Sequence, residues 1–209
     1  MDNISTCKEL VRSIYDNMDA SHDVQHIERV YRNAEAILET EPEADGEIVR
    51  LAVLLHDVSD AKYTESKEAE ERILNALDLT DEQRQHIREI IASVSFNGGN
   101  ELEARTIEAR IVRDADRLDA IGAIGIARTF AYGGARGRKL YDEAEVARTD
   151  MSVEEYRSKS TASVTHFYEK LLLLKDRMVT DKGRQMAEQR HAFMLAFLEQ
   201  LHNELNGAK

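Results

Sequence analysis

Pro42 is the one proline in 209 residues, and the ten glycines leave long stretches without a helix breaker. Those stretches are dominated by Ala, Leu, Glu, Arg and Lys, which lose little rotamer freedom in a helix. So few helix breakers point to an almost wholly helical fold. Hydrophobic residues make up 42% of the chain, enough for a core and against wholesale disorder.

Apolar periodicity divides the chain into predicted helices. The first runs near Ile4–Met18 and the second from a cap at Ser21 or Asp23 to about Thr40. Glu41–Gly46 reads as a turn before a third helix that ends at His56-Asp57, and Val58–Thr64 as a loop. Further helices follow over Glu68–Leu77 and Asp81–Val94. After the break at Asn97–Asn100 one long helix is expected over Leu102–Phe130, with a bend at Gly122 or Gly125. Gly133–Lys139 is a glycine-rich basic segment, and two more helices are expected over Val153–Met178 and Asp181–Leu205.

Charge narrows the partners. A formal net charge of −12 opposes nucleic-acid backbones and anionic membranes. A small phosphorylated substrate remains open, because a local basic pocket can oppose the global field. The lone Cys7 excludes an intramolecular disulfide and a cysteine zinc site. No apolar run reaches the ~18 residues of a membrane span, and the start MDNISTCKEL has no signal-peptide pattern. A cytoplasmic protein without membrane association is the expectation.

Three polar clusters interrupt the apolar segments. His56-Asp57 ends the run Ile48–Leu55, His22 and His26 lie upstream at i, i+4, and Asp114 and Asp116 lie downstream in an apolar helix. Each has an ordinary structural reading by itself. Together, two imidazoles and two carboxylates from three segments make a first shell for a hydrolytic metal. Only one of His22 and His26 need be a ligand. Arg29 falls near the His26 face, which suits an anionic substrate that bridges metal and cation. Asp116 sits on a stripe of small residues, Val112, Ala120, Ala123 and Ala127. Asp114, on the other apolar face, must be paired, and could orient a ligand histidine from outside the first shell.

The strings HDVQHIERV, LAVLLHDVSDAKY and IVRDADRLDAIGAIGIAR resemble the HD superfamily of metal-dependent phosphohydrolases. FAYGGARGRKLYD and STASVTHFYEKLLLLKDRM extend the likeness to a bacterial branch of small single-domain HD hydrolases. The resemblance implies an all-α HD-domain helical bundle, with a metal-binding core over about 20–130 and C-terminal helices at about 150–206 packed on it. It maps the ligands to His26, His56, Asp57 and Asp116, the last because Ala115-Asp116-Arg117-Leu118 matches the family's final aspartate. It also implies hydrolysis of a nucleotide or similar small phosphorylated metabolite. The donor set suits one divalent ion, with Mn, Fe, Co or Ni favoured over Mg or Zn. Between Asp57 and Asp114 the chain offers only His86, a departure from binuclear relatives that disfavours a di-iron oxygenase. A noncatalytic nucleotide or metal sensor is the other alternative, disfavoured because every expected ligand is present.

On the substrate side, Arg29, Lys62, Arg117, Arg136, Arg138 and Lys139 are the candidate phosphate-binding cations, with Arg128 further along the same helix. Asp60, three residues after Asp57, is the candidate proton-transfer group alongside Asp57 itself. His22, Asp114 and His166 are expected to support the ligands. His191 reads as structural, and the Met186–Leu201 face would suit packing within the chain or a homodimer.

Overall fold

The computed structural model describes residues 2–16, 18, 23–59, 66–95, 102–148, 151–152, 154–155 and 161–208. Regular structure among them is helical throughout. In order come α1 (Asn3–Tyr15), α2 (Val24–Leu38), α3 (Gly46–Leu55), α4 (Glu68–Ala76), α5 (Asp81–Val94), α6 (Ile107–Asp119), α7 (Gly122–Ala135), α8 (Ser163–Glu169) and α9 (Asp181–Leu205). Leu171–Leu173 and Lys175–Arg177 form two tight 3-10 turns between α8 and α9. No helix is long and apolar enough to cross a membrane among these residues.

Short polar side chains start the helices by accepting from backbone N–H groups that the first turn leaves without partners. Asp23, rather than Ser21, caps α2 through His26 N. Asp45 caps α3, Thr106 caps α6 and Thr180 caps α9, while Thr80 and Gln83 form a reciprocal capping box on α5.

The apolar run that ends in His56-Asp57 is the centre of the molecule. Seven of the ten residues of α3 are buried, the pattern of a helix surrounded by others. α2 packs on α3 and α6, α5 packs on α3 and α6, and α9 lies across α6 and α7. One continuous apolar core runs from Cys7, Val11 and Tyr15 in α1 to Met194 and Leu198 in α9.

Two expected helices differ. The long helix over Leu102–Phe130 is two helices, α6 and α7, and residues 102–105 precede the cap of α6. The break comes at Gly122, whose φ of +75° lies in the left-handed region that favours glycine. Arg190 of α9 presses against the same Cα, where an added Cβ would meet Arg190 Cβ at 2.9 Å. Within the segment expected to be helical over Val153–Met178, Glu154 and Glu155 are helical, and after α8 the chain tightens into the 3-10 turns. In that geometry residues three apart align, so Leu171 and Leu174 both enter the core. Buried Glu169 ties the end of α8 to Arg148 of the preceding loop at 2.6 Å.

α9 keeps its expected span. Phe197 packs within the chain, against Phe130 of α7 and Phe167 of α8 at centroid distances of 5.9 Å. Phe193 and Leu195 face outward.

Candidate metal centre

Four side chains from three helices meet at the C-terminal end of α3. His26 stands in the first turn of α2, His56 and Asp57 follow directly on α3, and Asp116 lies in α6. His26 Nε2 is 3.2 Å from Asp57 Oδ2 and 3.6 Å from Asp116 Oδ1, and His56 Nε2 is 3.4 and 3.7 Å from the same two atoms. The two imidazoles meet edge to face, with centroids 5.5 Å apart. Ligand atoms of His26, His56 and Asp57 all lie within 4.8 Å of one another, a spacing one ion can bridge.

Each imidazole has its outer nitrogen committed elsewhere. His56 Nδ1 donates to the Val53 carbonyl at 2.8 Å, one turn back in α3. His26 Nδ1 donates to Asp119 Oδ2 at 2.7 Å. A carbonyl and a carboxylate only accept, so both Nδ1 atoms carry protons and both Nε2 atoms face the centre. His56 Nε2 is buried and makes no hydrogen bond among the described residues. The donor set, its spacing and this orientation fit a divalent cation.

Electrostatics fit as well. Burial pushes the His56 pKa down, but Asp57 and Asp116 outweigh it and raise it to about 9. Burial raises the Asp116 pKa, yet the hydrogen bond and charge of His56 carry it well below the usual carboxylate range. A cluster that holds a proton so firmly favours positive charge at its centre, and a metal competes for the same place. Asp116 faces outward, with 28% of its side chain exposed against 8% or less for the other three.

The remaining candidates separate. Asp114 does not orient a histidine. It lies on the far face of α6 and accepts from Val179 N, Thr180 N and Thr180 Oγ1, joining the start of α9 to α6. The residue that meets a histidine of the cluster is Asp119, which the sequence reading missed. Its signal was present: Asp119 is three residues beyond Asp116 and shares its face. Arg29 is brought to Asp119 rather than left open, through Nε–Oδ1 at 2.6 Å and Nη2–Oδ2 at 3.1 Å. Arg128 joins it, donating to Asp119 Oδ2 at 2.7 Å.

Arg117 is buried and donates to the Arg177 carbonyl at 2.6 Å, turned towards the start of α9. Arg136 and Arg138 both lie over the Tyr132 ring, at 3.9 and 5.2 Å, and Lys139 pairs with Asp142 at 2.6 Å. His166 sits in α8, where burial first, then Lys170 and Arg138, lower its pKa to about 3. His86 bonds Thr106 Oγ1 at 3.1 Å, between α5 and α6. His22, Asp60 and Lys62 lie outside the described residues. A second contact unseen in the sequence is Tyr15, which donates its hydroxyl to Leu54 O at 2.9 Å and so holds the end of α3 that presents the pair.

A model of the HD domain family matches residues 23–121, the stretch that contains all four converging side chains. The chain is 38% identical over 204 residues to the uncharacterized protein YpgQ of Bacillus subtilis, covering 94% of this chain and 91% of YpgQ. A crystal structure from Lactobacillus plantarum superposes with a TM-score of 0.88 at 33% identity, covering 98% of this chain and 97% of the other. YpgQ in complex with ADP superposes at 0.77, with 35% identity and coverage of 99% and 100%. An HD-superfamily hydrolase from Bacillus thuringiensis gives 0.71 at 41% identity, with coverage of 98% and 95%.

Proposed function

The chain belongs to the HD domain family, and on that premise we propose that it is a metal-dependent phosphohydrolase acting on a nucleotide or similar small phosphorylated metabolite. The convergence of His26, His56, Asp57 and Asp116 on one point carries the reading. These four residues would hold one divalent ion. When bound, such an ion acts as a Lewis acid that makes water a better nucleophile and takes up charge developing on phosphorus.

The chain's own groups do the rest. The two buried histidines are fixed by Asp119 and by the Val53 carbonyl, so their lone pairs need no reorganisation. Asp116, the most exposed of the four, stands on the side from which substrate arrives. Asp60, three residues beyond Asp57, serves as the proton-transfer group, and Lys62 in the same stretch as a phosphate cation. Arg136, Arg138 and Lys139 bind the phosphate chain, with the Tyr132 ring holding the two arginines in place. Arg29 contributes through Asp119.

A nucleotide is favoured over other phosphate esters because the related YpgQ takes ADP, and because net charge −12 opposes extended polyanions. The test is a panel of nucleoside mono-, di- and triphosphates and simple phosphate esters, each with Mn, Co, Ni, Fe, Mg or Zn. Metal-dependent release of phosphate or pyrophosphate from at least one nucleotide is expected. Nucleotide binding without turnover under every metal would replace this reading with that of a sensor.

A further inference from the structure

Asp119 is buried to 1% exposure at the end of α6, within a helix turn of Asp116. Three cationic or proton-bearing groups converge on its carboxylate from two other helices. His26 Nδ1 and Arg29, both from α2, and Arg128, from α7, all donate to it, and Oδ2 alone receives His26 at 2.7 Å, Arg128 at 2.7 Å and Arg29 at 3.1 Å. Arg128 also reaches the Asp119 carbonyl at 3.2 Å, which fixes the backbone that carries the carboxylate.

Ring geometry gives this contact its meaning. Imidazole has two nitrogens, and a neutral ring can ligate through Nε2 only when the proton is on Nδ1. An ionised carboxylate at Nδ1 enforces that form and stops rotation about χ2.

We propose that Asp119 is a positioning residue, which holds His26 as its Nδ1–H form with Nε2 aimed at the ion, and that Arg29 and Arg128 are the paired cations that hold the Asp119 carboxylate in place. The proposal rests on the metal-centre reading above. It changes the part played by Arg29, from a direct substrate contact to a support for a ligand.

The test is titration of the purified full-length protein with Co(II), following affinity and the visible absorption bands, beside thermal unfolding of each variant without metal. Asp119→Ala should lose about 10–100-fold in Co(II) affinity, the range seen when an outer partner of a metal-binding histidine is removed. Arg29→Gln and Arg128→Gln each break an ion pair but leave the His26–Asp119 bond, so they should lose thermal stability while keeping affinity within about threefold. Asp119→Ala strands two guanidinium groups, so Asp119→Ala/Arg128→Gln is made alongside it, and either soluble protein serves. Affinity within twofold of wild type in these Asp119 variants would overturn the proposal. So would affinity losses in all variants that simply track their lost stability. If wild-type protein binds no Co(II), Mn(II) or Ni(II), the metal-centre reading itself fails and the proposal falls with it.

Discussion

At the scale of single residues, the proposed chemistry centres on the His-Asp pair. Asp57 is buried beside both imidazoles and makes no contribution to the apolar packing. Asp57→Ala should therefore lower metal-dependent hydrolysis by more than the ~10–100-fold expected of an outer partner, while the far-UV circular dichroism stays unchanged. Retained activity with metal bound would remove Asp57 from the centre. The cations at Arg136, Arg138 and Lys139 make a different kind of claim. Their combined change to Ala should raise KM about tenfold or more and leave the metal in place, because it removes substrate binding only. Unchanged constants would leave them a packing role around Tyr132. The polar residues of the centre were legible because a histidine or aspartate breaking an apolar run is conspicuous in one dimension. The partners of Asp119 and Tyr15 lie 93 and 39 residues away, so spacing from Asp116 could place Asp119 on the right face but only the fold shows what it and Tyr15 bind.

At the scale of elements, capping side chains and uninterrupted apolar periodicity made most helices readable, and α5 and α9 keep their expected spans. The failures share a cause. Both α6–α7 and the stretch around α8 have good helical composition, and tertiary contacts override it. At Gly122 the override is a left-handed backbone with Arg190 against it, so Gly122→Ala should cost about 1–3 kcal/mol in urea unfolding. At α8 it is the buried ion pair between Glu169 and Arg148. Burial raises the Glu169 pKa, but Arg148 outweighs it, so the folded value lies below that of an unfolded glutamate. The stability this contributes is fully present above about pH 4.3 and is lost as pH falls through the lower folded value. Hydrogen exchange in the 140–148 segment should accordingly rise on acidification below that point before the core of α3 is affected. Equal protection of both segments down to global unfolding would show that the pair does not hold this loop.

For the whole molecule, the C-terminal third belongs to the same core as the residues matched by the family model. Met194 and Leu198 are buried in that core, Arg190 donates to the Leu118 carbonyl and to Asn33, and Thr180 meets Asp114. A chain ended at Met178 should not fold to a native-like state, by circular dichroism and size exclusion. A monomeric, fully helical product would show instead that the first 178 residues suffice. The contact at Asp114 has a mechanical consequence. Two residues along a helix is a turn of about 200°, so Asp114 and Asp116 project from nearly opposite sides of α6. Any roll of that helix about its own axis would swing both. A roll of only 20° at a side-chain radius of about 5–6 Å displaces a carboxylate by about 2 Å, ten times the tolerance of a metal–ligand bond. The three donors of Val179 and Thr180 that grip Asp114 thus resist torque on α6, and the last helix holds the angle at which Asp116 is offered on the other side.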